Sequence, residues 1–196
     1  MKIYVYDFEV FKYNWLVCIH ELKDDIRYEF IDNWIGYRQF MNEHENDVFI
    51  GFNSKGYDQY IAKAIIAGAT HDIIKDLNDW IISGNQGWQH WFLKGKYWRF
   101  NNADIKDDMQ IGLSLKAIEG HMGSDIEETE VPFDIDRELT QEELSQVLFY
   151  CHHDVSETKK LIHLRRNYLE VKYRLGKKVG LELAESWGMT NAKLTA

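Results

Sequence analysis

The chain has 196 residues, of which 45% are hydrophobic and 14% aromatic. This apolar content can fill one substantial core, but the length is too short for two full domains, so we predict a single domain over residues 1–196. The 23 basic and 32 acidic residues give a net charge of −9. That balance argues against a protein that binds nucleic acid through an overall excess of positive charge.

Membrane insertion and secretion are also disfavoured by the sequence. No apolar run is long enough for a membrane span, and the first residues form a strand pattern rather than a signal peptide. The two cysteines, Cys18 and Cys151, lie in no CxxC or Cys/His metal spacing. We therefore expect a cytoplasmic protein without membrane partners, in which both thiols are reduced and buried.

The first part of the chain alternates between strand and helix patterns. Residues 2–10, 13–22 and 26–34 are rich in strand formers and predict three antiparallel strands. A helix is predicted over 35–45, a short buried strand over 48–52, and a second helix over 57–67, closed by Gly68. Strand, helix, strand and helix in succession imply crossover connections, which are typical of an α/β protein.

The later part of the chain is less regular. Residues 76–102 mix glycines with many large aromatic side chains, and we expect an irregular or hairpin-like insertion there. A strand over 103–111, a helix over 113–121 and an acidic loop to Pro132 follow. Thr140 and Glu143 form a capping-box pattern that predicts the start of a long helix. The basic residues between Lys159 and Lys178 form either a solvated helix face or a local nucleic-acid contact.

Asp7 and Glu9 lie two residues apart on the first predicted strand. A strand has a side-chain period of two, so both carboxylates leave the same face of the sheet and can share a pair of metal ions. The strand is otherwise apolar, which makes two acids on one face unusual. The D-x-E spacing is weak evidence by itself, since Asp125 and Glu127 repeat it in a loop where we predict no function.

Two further acidic positions have both a functional and a structural interpretation. Asp58 follows a glycine-containing turn and falls in the first turn of a helix, where the helix dipole alone favours an acid. Tyr150 and Asp154 are four residues apart, which places the phenol and the carboxylate on one face of the long helix. Asp154 lies at the edge of the apolar stripe, so its carboxylate requires a partner.

Taken in chain order, the pair Asp7 and Glu9, the acid Asp58 and the pair Tyr150 and Asp154 resemble the three motifs of the DEDD exonuclease superfamily. The resemblance is to the subgroup that has a tyrosine in its third motif. The resemblance covers essentially the whole chain and is closest to the N-terminal proofreading domains of phage replicative DNA polymerases, of family A or family B. It is carried by YDFEVF at 6–11, IGFNSKGYDQYIAKAI at 50–65, PFDIDRELTQEEL at 132–144 and YCHHDVSETKKL at 150–161. The final GMTNAKLTA at 188–196 is similar to the stretch that leads into the polymerase.

The resemblance implies a ribonuclease-H-like α/β fold, with a mixed sheet of about five strands in the order 3-2-1-4-5 flanked by helices. It also implies a two-metal 3′→5′ exonuclease that releases nucleoside 5′-monophosphates from single-stranded DNA. Two divalent cations, Mg²⁺ or Mn²⁺, would be held by Asp7, Glu9, Asp58 and Asp154, and Tyr150 would position the attacking water. Four oxygen ligands suit these ions better than zinc, and we expect His152 and His153 to face solvent.

Contacts with the single strand are predicted for Phe8, Asn53, Trp91, Trp98 and Arg99. Aromatic rings among cations suit base stacking, although the same rings could simply pack onto the sheet. A polymerase domain in cis is the expected partner, in a bacterial host cell if the chain is phage-encoded. Two other functions stay open: an RNA 3′-end exoribonuclease that shares every catalytic residue, and a catalytically idle module that binds a strand or docks a polymerase.

Overall fold

The computed structural model describes residues 1–107, 109, 112–127 and 129–195. Within these residues a five-stranded mixed sheet is covered by helices on both faces. The strands are β1 (Ile3–Val10), β2 (Trp15–Glu21), β3 (Arg27–Ile31), β4 (Val48–Gly51) and β5 (Asn102–Asp104). Their order across the sheet is β3-β2-β1-β4-β5, which confirms the predicted α/β class and strand order.

The central strand, β1, is longer than its parallel neighbour. It pairs antiparallel with β2, and β2 pairs antiparallel with β3, whereas β1, β4 and β5 run parallel. The last pair between β1 and β4 joins Val5 and Ile50, and β1 then continues to Val10. One edge of β1 is therefore free of β4 at the carboxyl end of the three parallel strands, where α/β proteins commonly bind ligands.

Eight helices accompany the sheet in the described part of the chain. They are α1 (Trp34–Glu43), α2 (Asp58–Ile66), α3 (His71–Ile82), α4 (Leu115–Met122), α5 (Gln141–Leu164), α6 (Arg166–Lys178), α7 (Leu183–Gly188) and α8 (Asn191–Thr195). Side chains of α1, α2 and α3 join the core on one face of the sheet, and those of α4 to α7 join the core on the other. None of these helices is both long enough and apolar enough to span a membrane.

Side chains of β1 alternate between these two cores. Tyr4, Tyr6 and Phe8 pack with α1, α2 and α3, while Val5 packs on the opposite face with α5. This alternation follows from the period of two along a strand. Asp7 and Glu9 lie two and four residues after Val5, so their side chains are on the same face of β1 as Val5. β1 therefore directs both carboxylates toward α5.

The segment over 76–102 is more regular than predicted. Helix α3 extends through Ile82, so the expectation of irregular structure is wrong for 76–82. Buried Ile74 and Leu77 anchor this helix, and the glycines begin only after it ends. Two short 3₁₀ turns follow at Gly87–Gln89 and Trp91–Leu93.

The fifth strand is shorter than predicted, because the predicted strand over 103–111 is observed only at Asn102–Asp104. Positions 108, 110 and 111 lie outside the described residues. The chain leaves the sheet at Asp104, whose carboxylate accepts the backbone N–H of Lys106 in a tight turn. The predicted third strand is also shortened, since its last residue, Trp34, begins α1.

Helix α5 begins as the sequence predicts. The Thr140 hydroxyl accepts the backbone N–H of Glu143, and the Glu143 carboxylate accepts the backbone N–H of Thr140. Arg137 forms a two-point ion pair with the same carboxylate at 2.7 Å. These contacts fix the start of the helix that carries Tyr150 and Asp154.

Replacing Thr140 with alanine should lower the free energy of unfolding by about 1 kcal/mol, because it removes this N-cap hydrogen bond. Urea unfolding followed by circular dichroism measures the change. Ser145→Ala is the matched control, since the Ser145 hydroxyl only donates to the carbonyl of Gln141 within the same exposed helical face. An equal loss in both variants contradicts a specific role for the cap.

Candidate metal centre

Asp7 and Glu9 lie at the carboxyl end of β1, on the face that packs against α5. Asp7 is partly buried, and Glu9 is 7% exposed. Oxygen atoms of the two carboxylates and the sulfur of Cys151 lie within 4.8 Å of one another. The prediction that both acids share one face is confirmed, and together they form a group of side chains that could hold a metal ion.

Asp58 reaches the same end of β1 from the beginning of α2. Its carboxylate accepts the backbone N–H of Phe8, the residue between Asp7 and Glu9, at 3.1 Å. This hydrogen bond is possible because β4 no longer pairs with β1 at Phe8. A third carboxylate is thereby fixed beside those of Asp7 and Glu9.

The turn before α2 is held by a buried carboxylate from β5. Asp104 is 4% exposed, and its two oxygens accept the backbone N–H groups of Asn53 and Lys55, each at 2.9 Å. Asn53 has a φ of 63°, in the left-handed region that asparagine tolerates better than most residues. Asp104 therefore orders the turn that delivers Asp58. The sequence does not indicate this role, because an acid at a strand end carries no distinctive motif.

Tyr150 and Asp154 enter from α5. Asp154 is 9% exposed, whereas the phenol of Tyr150 is only partly buried. One turn of helix separates them, as predicted, and the adjacent Cys151 packs against β1, where its thiol donates to the carbonyl of Asp7 at 3.4 Å. The helix thus places a carboxylate and a phenol over the face of β1 that carries Asp7 and Glu9.

The four carboxylates are close enough to perturb one another. Burial raises the pKa of Asp7 well above its ordinary value, and Asp58, Glu9 and Asp154 raise it further. Burial likewise raises the pKa of Glu9, with Asp154 as its strongest charged neighbour. Burial raises the pKa of Asp58 to about 7, although the Phe8 N–H opposes the shift. Such mutual repulsion is relieved by protons or by cations.

Lys116 is a component of this site that the sequence analysis did not identify. Its ammonium lies 2.7 Å from Asp154 Oδ1 and 4.7 Å from the centre of the Tyr150 ring. Burial raises the pKa of Asp154, and Lys116 opposes that shift. The helix containing Lys116 was predicted, but Lys116 and Glu119 there have the spacing of an ordinary surface ion pair.

The phenol of Tyr150 is protonated in this environment. Burial raises the pKa of Tyr150 far above its ordinary value, and the charges of Asp154, Glu9 and Asp7 raise it further. A protonated phenol can donate a hydrogen bond but is not available as a general base.

The residues predicted to contact a strand occupy different environments. Phe8 is 3% exposed and packs with Trp15 and Tyr37, so only its main chain faces the acidic site. Asn53 and Arg99 are exposed. Trp98 stacks on Phe100 at a ring distance of 5.3 Å against the core. Trp91 is 59% exposed.

The expectation that both histidines of α5 face solvent is wrong. His152 is partly buried, and its two nitrogens lie 2.7 Å from His20 Nε2 and from a carboxylate oxygen of Glu29. His153 is also partly buried, with its Nε2 atom enclosed by protein. The reason is that strands β2 and β3 and helix α4 close around α5, which a single-helix pattern does not reveal. Cys18 and Cys151 are both buried, as expected.

Comparison with known protein families, with curated proteins and with solved structures gave no match to this chain.

Asp58→Asn should stabilise the metal-free protein more at pH 8 than at pH 5, by about 1 to 3 kcal/mol. A carboxyl group whose pKa rises on folding, here from 3.8 to about 7, contributes stability below its unfolded pKa and loses it as the pH rises through its folded pKa. Asparagine retains an oxygen that can accept the Phe8 N–H. Urea unfolding in EDTA at both pH values measures the difference.

The matched control for this prediction is Asp136→Asn. Lys12 lowers the pKa of Asp136, so the sign is opposite and no gain is expected at pH 8. An Asp58→Asn effect that is the same at both pH values contradicts a pKa of Asp58 raised by burial.

Proposed function

We propose that this protein is a two-metal 3′→5′ exonuclease acting on single-stranded DNA. The observation that carries the proposal is the meeting of Asp7, Glu9, Asp58 and Asp154, with Tyr150 beside them, at the carboxyl end of β1. Three separate elements contribute these side chains, and burying four carboxylates together is costly unless cations accompany them. The resemblance to tyrosine-type DEDD exonucleases rests on the same five residues.

The donor set suits hard divalent cations. Carboxylate oxygens are the ligands that Mg²⁺ and Mn²⁺ prefer, and all four acids provide them. Asp7, Glu9, Asp58 and Asp154 would hold the two ions. When bound, such ions supply an activated water and stabilise the leaving 3′ oxygen.

The remaining side chains position the reacting groups. The Tyr150 hydroxyl, which stays protonated, donates a hydrogen bond that orients the attacking water. Lys116 lies over the Tyr150 ring and beside Asp154, where it can hold both in place. The Phe8 N–H keeps Asp58 directed toward the other acids. Products would be nucleoside 5′-monophosphates.

The route of the strand and the cellular context belong to the same proposal. Trp88, Trp91 and Tyr97 expose large rings in a segment that also carries Lys94 and Arg99, a mixture suited to stacking bases and contacting phosphates. We propose a proofreading role beside a polymerase domain in cis, as in phage replicative polymerases. An RNA 3′-end exonuclease would use the same acids, and the sugar preference of the assay decides between them.

Asp7→Ala and Asp154→Ala should each abolish nuclease activity while the protein remains folded, because each removes a metal ligand from a group of mutually repelling acids. Tyr150→Phe should slow cleavage by about 10² to 10⁴, since it deletes only a positioned hydroxyl. The assay uses end-labelled single-stranded DNA and RNA, with Mg²⁺, Mn²⁺ or EDTA, and identifies the released mononucleotides.

Asp125→Ala is the control for these variants. Asp125 belongs to a second D-x-E triplet in an exposed loop and should leave the rate unchanged. Full activity of Asp7→Ala, in a preparation shown to be free of contaminating nuclease, would falsify the assignment. A wild-type protein that binds strands but never cleaves them supports the idle binding module instead.

Trp91→Ala should weaken single-strand binding about five-fold to a hundred-fold, because stacking is worth roughly 1 to 3 kcal/mol per base. The ring is exposed, and its N–H is held by Asp76 at 3.0 Å, so it is already oriented before a strand binds. Fluorescence anisotropy with an uncleavable strand measures the affinity.

Trp98→Ala provides the contrast. Because Trp98 stacks on Phe100 against the core, its loss should lower thermal stability more than it lowers the affinity for a single strand. Normal binding by Trp91→Ala contradicts a stacking role for this ring and leaves the basic residues from Lys159 onward as the next place to test.

A further inference from the structure

Buried polar atoms without partners are concentrated between α4 and α5. In the described part of the chain, seven buried side-chain nitrogen or oxygen atoms have no hydrogen-bond partner. Four of them lie here: both carboxylate oxygens of Glu119, Nε2 of His153 and Oε2 of Glu157. Buried polar groups are nearly always satisfied in native proteins, so such a concentration points to a ligand that these atoms bind.

Glu119 is the least accessible member of this group. It lies on α4 with 0% exposure, and a carboxylate oxygen of Glu119, a ring nitrogen of His153 and a carboxylate oxygen of Asp154 all lie within 4.8 Å of one another. The ion pair between Lys116 and Glu119 spans 3.4 Å, longer than the 2.7 Å contact between Lys116 and Asp154. Three ligand atoms of two chemical types therefore converge on one small volume.

The carboxylates in this volume outnumber the permanent positive charges. Glu119 and Asp154 contribute two carboxylates, and Lys116 is the ammonium that lies within ion-pair distance of both. Lys116 hydrogen-bonds to Asp154 at 2.7 Å, which leaves the Glu119 carboxylate with only a distant partner. Burying a carboxylate without a close counter-charge costs several kcal/mol, so a further positive charge stabilises this arrangement.

We propose that Glu119, His153 and Asp154 form a second divalent-cation site beside the centre at Asp7, Glu9, Asp58 and Asp154. An imidazole nitrogen with two carboxylates favours Mn²⁺ or Zn²⁺ over Mg²⁺, which prefers all-oxygen ligands. The ion and the Lys116 ammonium compete for the carboxylates of Glu119 and Asp154. The site shares Asp154 with the proposed nuclease centre, but its existence does not depend on nuclease activity.

Mn²⁺ is the probe, because its electron paramagnetic resonance reports both affinity and the nature of the ligands. Asp7→Asn protein is titrated first, since this change weakens the other centre and leaves Glu119, His153 and Asp154 intact. Pulsed measurements should detect a ¹⁴N coupling from a bound imidazole. His153→Gln in the same background should remove that coupling, whereas His121→Gln, at an exposed histidine of α4, should retain it.

Two further variants test the exchange with Lys116. Glu119→Gln should weaken Mn²⁺ binding by at least about ten-fold, comparable to the loss of a supporting partner in known sites. Lys116→Met should strengthen it, since the competing charge is gone while an unbranched side chain of nearly the same length is kept. Circular dichroism confirms that each variant is folded, and the His153→Gln comparison still decides the matter where Glu119→Gln does not fold.

The two proposals fail in different ways. A ¹⁴N-coupled Mn²⁺ ion in Asp7→Asn protein establishes the second site even if the wild type shows no nuclease activity. Absence of nitrogen coupling in that background, or unchanged affinity in both His153→Gln and Glu119→Gln, overturns the second site whatever the nuclease assay shows. Weaker or unchanged Mn²⁺ binding by Lys116→Met overturns the exchange between the ammonium and the ion.

Discussion

The burial of four neighbouring carboxylates is the constraint around which this structure is organised. Asp7, Glu9, Asp58 and Asp154 each have a raised pKa, and burial is the first cause in every case. Two apolar cores, one on each face of β1, stabilise the fold against the energetic cost of this burial. Asp7 and Glu9 are therefore carried by a strand that is packed on both faces, where strained functional groups can be held.

The arrangement is built from main-chain contacts as much as from side chains. Asp58 is held by the N–H of Phe8, and the turn before it is held by Asp104 through the backbone N–H groups of Asn53 and Lys55. Both contacts depend on strand ends: β4 stops early enough to uncover Phe8, and β5 stops at Asp104. The site thus requires β4 and β5 to be short. If these strands were longer, the backbone N–H groups that now orient the carboxylates would form hydrogen bonds between strands instead.

The sequence predicts the strand and the helix that carry the acids better than it predicts the residues that hold those acids in place. The alternation along β1 and the Thr140 cap both depend on residues that are two or three positions apart in the sequence. The shared face of Asp7 and Glu9 and the start of α5 therefore follow from local spacing alone. Asp104, Lys116 and Glu119 could not be identified in this way, because their roles depend on which elements meet in space. The helix through Ile82 was hidden for a different reason: the glycines and aromatic residues that follow it dominated the pattern.

The division of the acids between β1 and α5 has a consequence for how this protein tolerates substitution. Asp154 reaches Asp7 and Glu9 across an interface formed by small and β-branched side chains, including Cys151 and Val155. A larger residue there would lift the helix from the sheet and separate the carboxylates, even if the fold survived. Packing residues with no chemistry of their own therefore set the spacing of the acids, and variation at them should be as restricted as at the acids themselves.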